Sequence, residues 1–437
     1  MKWTWTLPLL LFAALQLFAA PLFGEDDESE IEIEEAPEAE AEPEPEKKPE
    51  RPRREEDPVR TPKFKPPTAA EINKAIDDGV AWLRTAQKKD GSWGFCVSSG
   101  TYNGPRSDNE CYHIGPTAFA IFTLLKCDVP RKDKQIKKGL KWLEQHSHKP
   151  EQHTARFKSQ RSITTYESSA MILMLTALNA PKKKDAVVKF SKSPTRPAGR
   201  FRKNEWNWMH EHVRHLIGGS DSNINPCQLK GGGWRYWRTS KDEDLSATQF
   251  CLLALREAAR AGYPVHVAAP DCWGDALKLV RHRQRDDGSF NYQNGYPWSA
   301  GMGAAGIASL LICKEQLEWA GQHVPAGIDD AVRVGLDFLG KNWDVSKNLH
   351  GEDSTGKHAT GYHYYHLYGI ERVGDLSGKR EIGGKAWYPR GAAYLLGQQK
   401  DGGRWEDASC MRPRDVLGTC FALLFLKRAT IPVITTR

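Results

Sequence analysis

The stretch on which the fold turns is Gly79-Val80-Ala81-Trp82-Leu83-Arg84-Thr85-Ala86-Gln87-Lys88-Lys89-Asp90-Gly91-Ser92-Trp93, because its pattern comes back twice. A second copy carries Leu279-Val280, Gln284 and Asp287-Gly288-Ser289-Phe290; a third carries Gly391, Tyr394-Leu395, Gln399, Asp401-Gly402-Gly403 and Trp405. Gly139-Leu140-Lys141-Trp142-Leu143 and Gly335-Leu336-Asp337-Phe338-Leu339 keep the helical half, and Gly231-Gly232-Gly233-Trp234 keeps the turn half. Six units result, at a pitch of about sixty residues with one double gap between Leu143 and Val280, which suits a pair of helices plus loops.

Each unit pairs two kinds of helix. Thr68 and Glu71, just after Pro67, have capping-box spacing, and Ile72, Ile76, Val80 and Leu83 then recur at helical period with polar residues between them. By contrast Thr117–Leu125, Gln249–Leu255, Ala304–Ile312 and Thr419–Leu426 are apolar around almost their whole circumference, which demands burial on every side. Half-polar outer helices around wholly buried inner ones predict a closed double ring, an (α/α)6 toroid over residues 68–430. Neither end of the repeat has the polar cap that an open solenoid requires. In the Asp-Gly-Ser-Trp turns glycine supplies positive φ and Asp a local cap, while the aromatic packs back to tie one unit to the next.

The flanks read differently. Lys2 precedes an apolar stretch from Trp3 to Phe23, so residues 1–24 are expected to be an export signal or, uncleaved, an N-terminal anchor. Residues 25–67 are rich in Glu, Pro and Ala and predict an extended disordered linker, and residues 431–437 a short tail. The formal charge of +7 hides an acidic linker on a body of roughly +15, which fits an anionic surface or polymer as neighbour, or masking of the body by its own tail. Export to the periplasm or outside the cell, or tethering to a membrane through the N-terminus alone, follows from the leader, and no nucleic-acid partner is expected. Nine cysteines without Cys-x-x-Cys pairs exclude zinc fingers; Cys96 with Cys111 is the favoured disulfide if the chain is exported.

The turns resemble the QW motif of the prenyltransferase and squalene-oxidase repeat family, which includes squalene-hopene cyclases and protein prenyltransferase β subunits. That resemblance implies an isoprenoid-like or other apolar ligand in the lumen. The family's cyclase acid motif, Asp-x-Asp-Asp-Thr-Ala, has its counterpart here in Asp242-Glu243-Asp244-Leu245-Ser246-Ala247, with Ser for Thr and Leu245 for the third Asp. The resemblance thus makes Asp244, supported by Asp242, the proton donor of a cyclase, while the same residues read locally make Asp244 or Ser246 a helix cap. Tyr362-His363 matches half of a prenyltransferase zinc site, but Met302–Ala308 lacks the Asp-x-Cys half, so neither a metal nor any other cofactor is expected.

His210, His212 and His215 look like a metal cluster but read better as a solvated helix face, with His210 turned away from the other two. Lumen-facing ligand contacts are expected from His113, Tyr166, Glu167, Trp234, Gln249, Trp298, His363, Tyr365 and Thr419, a pocket of aromatic walls with a few polar groups. Glu371 and Arg372 are expected to form buried pairs with neighbouring helices. Two functions remain open: a ligand- or partner-binding toroid without turnover, which the degenerate acid motif favours, and a terpenoid-cyclase-like enzyme using Asp244.

Overall fold

The computed structural model describes residues 64–97, 110–112, 114–146, 163–179, 201–218, 226–352, 361–407 and 414–430. The expected leader, nearly all of the expected linker, the tail and the candidate contact His113 lie outside the described residues.

Twelve helices of three turns or more alternate between two rings among the described residues. The outer set is α1 (Ala69–Thr85), α3 (Lys134–His146), α5 (Lys203–Ile217), α7 (Cys272–Arg283), α9 (Ile328–Lys341) and α11 (Trp387–Gln398). The inner set is α2 (Ile114–Lys126), α4 (Thr165–Leu178), α6 (Leu245–Arg260), α8 (Ala300–Trp319), α10 (His363–Ser377) and α12 (Arg414–Lys427). Each inner helix packs on the next, and α12 packs on α2, so the inner ring closes as the repeat pattern predicts. The fold is an (α/α)6 toroid.

The two kinds of helix form for different reasons. α1 starts at a reciprocal capping box, in which the Glu71 amide donates to Thr68 Oγ1 at 3.2 Å and the Thr68 amide donates to Glu71 Oε2 at 2.7 Å. It buries only the face carrying Ala75, Ile76, Gly79, Val80 and Leu83. In α2 every residue from Gly115 to Leu124 is buried, because outer helices cover one side and inner neighbours the other.

The turns make the staples between units. Indole N–H groups of Trp93, Trp234 and Trp405 donate to the carbonyls of Leu83, Leu216 and Leu395 at 2.7, 3.0 and 2.7 Å, which locks each ring under its own outer helix. Their backbone amides donate to Thr117, Thr248 and Thr419 at the start of the following inner helix. The glutamines then cross to the next unit: Gln87 Nε2 reaches the Gln135 carbonyl, Gln228 that of Cys272 and Gln284 that of Ala331, all at 2.8 to 3.0 Å.

The seam repeats the same bond. Gln399 Nε2 donates at 2.9 Å to the carbonyl of Ala75, in the first outer helix. Gly403 has φ +93°, and a Cβ there would collide with the Asp78 carbonyl, so this position needs glycine for both its conformation and its closeness to α1. The aromatic ring also ties units together as expected, since a Cβ on Gly79 would come within 2.7 Å of the Trp405 ring. Two short antiparallel pairs complete the structure; in the first, the backbone register sets Cys96 opposite Cys111.

Candidate functional site

The N-terminal ends of the inner helices are roofed by the segments that follow the turns. Tyr236 O accepts the Thr165 amide at the start of α4, Tyr292 O accepts the Leu245 amide at the start of α6, and Asp407 accepts the Tyr364 amide of α10. Each of these residues stands two positions beyond a turn aromatic (Trp234, Phe290, Trp405), so the repeat itself delivers a side chain to the rim of the preceding inner helix.

Asp244 sits under this roof. It is the N-cap of α6, with Oδ1 accepting the Ala247 amide at 2.7 Å, which bears out the capping role. It is also wholly buried, and its Oδ2 has no hydrogen-bond partner among the described residues. Arg235 Nε stands 3.7 Å from Oδ2, while Nη1 of the same guanidinium stands 3.2 Å from Asp242. The hydroxyls of Tyr236 and Tyr292 are hydrogen-bonded to each other, and Arg235 lies over both rings at 4.9 and 5.8 Å. Tyr292 comes near the Asp244 carboxyl without completing a directed bond to Oδ2.

Burial dominates the titration here. It pushes the Asp244 carboxyl up to about 6, against the pull of the Arg235 charge and of the Ala247 N–H in the other direction. The same desolvation, reinforced by the Asp244 charge, holds the Tyr166, Tyr236 and Tyr292 phenols well above their ordinary range. Asp242 does not share this environment: its side chain is 64% exposed and it accepts from Gln293 at 2.9 Å.

Within the first turn of α6, Ser246 Oγ accepts from the Tyr166 hydroxyl at 2.9 Å and lies 2.9 Å from the Tyr365 hydroxyl, which Gln249 Nε2 also reaches. Deeper in the ring Phe250 stacks on Tyr365 at 6.0 Å and meets Tyr166 edge-on at 5.6 Å, while Phe421 meets Tyr365 at 5.9 Å, Phe119 at 5.3 Å and Tyr368 at 5.8 Å. Five of the six inner helices therefore converge in one aromatic cluster with a carboxyl at its upper edge. Aromatic faces of this kind attract positive charge.

Of the residues expected from sequence, Tyr166, Gln249, Tyr365 and Asp244 come together here. Glu167 does not, because it closes a capping box with Thr164 for α4, with its amide 3.2 Å from Thr164 Oγ1. The signal was in the sequence, Thr164-Thr165-Tyr166-Glu167 having the same spacing as Thr68 and Glu71. Trp234 and Thr419 belong to the staples, and Trp298 packs edge-on against Phe338 of α9 at 5.1 Å. His363 Nε2 bonds the Val345 carbonyl at 2.9 Å and its ring meets Tyr394, away from the cluster.

The histidine reading is corrected in part. His212 and His215 do share a face, but that face is buried against α4, where Ser168 Oγ stands 2.9 Å from His215 Nδ1 and 3.2 Å from His212 Nδ1. Desolvation takes the His215 imidazole down to about 3, and both rings are buried, so this is a core pair and not a solvated surface. Among the described residues no group of three or more His, Cys, Asp or Glu side chains could hold a metal ion. Arg235, Tyr236, Tyr292 and Phe250 were not anticipated, whereas Tyr368 belongs to the aromatic-rich segment Tyr362–Arg372 that marks a lumen helix; extending the repeat two residues past each turn aromatic picks out Tyr236 and Tyr292.

No family profile matches the chain. No curated protein matches it either. Among solved structures, the apo type II terpene cyclase MstE from Scytonema aligns over 83% of this chain and 99% of its own, with TM-score 0.51 and 14% identity. The complex of a substituted MstE with geranylgeranyl dihydroxybenzoate aligns over 82% and 97%, with TM-score 0.51 and 12% identity. A D-mannose isomerase aligns over 82% and 97%, with TM-score 0.50 and 11% identity. At these identities the likeness is one of fold, an α/α toroid shared by enzymes of different chemistry.

Proposed function

We propose that the lumen is a reaction chamber in which Asp244 donates a proton to an alkene of an isoprenoid-type substrate, in the manner of a terpenoid cyclase. The observation that carries this reading is the Asp244 carboxyl, wholly buried at the edge of an aromatic cluster, with Oδ2 outside hydrogen-bond geometry among the described residues and facing Arg235 Nε at 3.7 Å. A carboxyl pushed up to about 6 keeps its proton into mildly acidic pH, as a general acid must.

In the first step the acid O–H bond breaks as the proton bonds to one alkene carbon, leaving a cation on the other. Successive π bonds of the same substrate attack that cation, and loss of a proton from the last one restores the balance, so the product is an isomer of the substrate. Arg235 lies where it would stabilise the carboxylate left behind, and the rings of Phe250, Tyr365 and Phe421 where they would face cationic carbon. The likeness to a terpene cyclase is consistent with this chemistry but does not select it, since the isomerase of sugars has the same fold.

A specific observation favours the second reading, a toroid that binds an apolar ligand without turnover. Asp244 Oδ1 is committed to the helix cap, and Asp242 points to solvent, so no second carboxyl polarises the acid. On either reading the chain acts outside the cytoplasm, following its N-terminal apolar stretch. The two part in one assay: the purified protein is incubated with squalene and shorter polyprenes and the extract analysed for cyclised product. The cyclase reading expects product whose rate falls as pH rises through about 6 and which vanishes in Asp244→Asn. No product from any chain length, or product that survives the substitution, sinks it.

A further inference from the structure

We propose that Arg372 anchors the carboxylate of the lumen ligand, so that the ligand is an apolar chain ending in a carboxylic acid. This rests on the lumen being the ligand chamber. Arg372 is 1% exposed, and none of its three guanidinium nitrogens has a hydrogen-bond partner among the described residues. Its charge lies over the Tyr368 ring at 4.3 Å and the Phe250 ring at 5.5 Å, the latter being the ring that stacks on Tyr365. The guanidinium charge and a weak contact with the Tyr368 hydroxyl pull against the burial of that phenol, but no guanidinium nitrogen makes a hydrogen bond of ordinary geometry among the described residues.

The position follows from the helix. Tyr365, Tyr368 and Arg372 fall at i, i+3 and i+7 of α10, on one stripe, with Arg372 about 10 Å further along the axis than Tyr365. The stripe therefore runs from the Ser246 hydroxyl beside Asp244, past the aromatic cluster, to the guanidinium. Glu371 and Arg372 were both expected to pair with neighbouring helices; instead the Glu371 carboxyl accepts the Thr430 amide at 2.8 Å and the Thr430 hydroxyl at 2.7 Å, from the segment just past α12. That carboxyl is turned a quarter of the way round the helix, and Arg372 is left without an acceptor.

An unpaired buried guanidinium is costly, and stacking on two rings offsets only part of the cost. The missing acceptor is best supplied by a planar oxyanion, since a carboxylate can take two parallel N–H bonds from one guanidinium. A diphosphate would call for several free cations. Among the described residues the other cations at this end are engaged, Arg256 with Glu315, Arg428 with Asp375 and Lys126 with the Ala429 carbonyl, while Arg260 stands 3.9 Å from Glu257 with its Nη1 buried and unbonded.

The test is calorimetric titration of the full chain with geranylgeranoic acid, geranylgeraniol and geranylgeranyl diphosphate, in the native protein and in Arg372→Met and Arg372→Lys. The acid is expected to bind about tenfold to a hundredfold more tightly than the alcohol, the diphosphate no better than the acid, and the preference to vanish in Arg372→Met while Arg372→Lys keeps part of it. The thermal midpoint of Arg372→Met should stand at or above the native one, because an unpaired buried charge is removed. Equal binding of acid and alcohol, a tighter diphosphate, a preference that survives Arg372→Met, or no binding of any probe overturns the proposal. If Arg372→Met does not fold, the native comparison of acid with alcohol decides. Binding needs no turnover, so a protein that holds the acid through Arg372 but yields no cyclised product removes the cyclase reading and leaves this one standing.

Discussion

The turns between units and the lumen they surround use similar residues, aromatics with polar tips and short polar side chains, but settle their hydrogen bonds in opposite ways. In the turns each Trp indole N–H has its leucine carbonyl, each Trp amide its threonine, and each glutamine amide a carbonyl in the next unit. In the lumen Asp244 Oδ2 and the whole Arg372 guanidinium are buried without hydrogen-bond partners. Buried polar groups without partners cost stability, so a belt with nearly all its bonds made, Ser289 Oγ excepted, is what a scaffold needs and a centre with unmet polar groups is what a site leaves open for a ligand. The contrast separates the two jobs without reference to any relative.

Breaking the belt should cost most. Trp405→Ala removes a fully buried ring that packs on Gly79 across the seam, and is expected to lower unfolding free energy by about 3–5 kcal/mol in denaturant titration. A loss under about 1 kcal/mol would mean the seam does not close as described. Gln399→Ala sharpens the point. It deletes bonds to the Gly403 and Ala75 carbonyls and should cost about 2–3 kcal/mol, as much as Gln87→Ala within an ordinary junction. Should Gln399→Ala prove neutral where Gln87→Ala is not, the ring is open at its ends.

The belt was legible in the sequence and the centre was only half so, for a physical reason. Glycine, glutamine and aromatic at fixed spacing act on the backbone and on the adjacent unit, so one-dimensional order records them; the seam bond from Gln399 to Ala75 needs no knowledge of distant contacts beyond closure. The lumen is assembled from residues on five helices, and its polar members are told apart only by where their partners are. Glu167 and Asp244 both stand at the start of an inner helix, yet the first is spent on a capping box and the second turns one oxygen toward Arg235 without a hydrogen bond among the described residues. Arg372 and Glu371 are adjacent in the chain, and a rotation of one residue around α10 gives one a partner and denies it to the other. The buried histidines went unrecognised as core because three His in six residues read as polar, whereas Ser168 of another helix stands within hydrogen-bond distance of the Nδ1 of both His212 and His215.

Whether the ring centre holds a buried acid at a cost to stability is decided by the thermal midpoints of the native chain and of Asp244→Asn between pH 4 and 8. The folded carboxyl is raised to about 6 from its ordinary 3.8, so the folded state holds the proton more tightly than the unfolded chain. Native stability should therefore fall as pH rises from about 4 to about 6, by up to about 3 kcal/mol for this group, and stay low above that. Asparagine caps the helix equally well and carries no charge. The account predicts that Asp244→Asn melts higher than the native chain at pH 8 and that the gap closes toward pH 4. A gap independent of pH, or a variant that melts lower at pH 8, would contradict it.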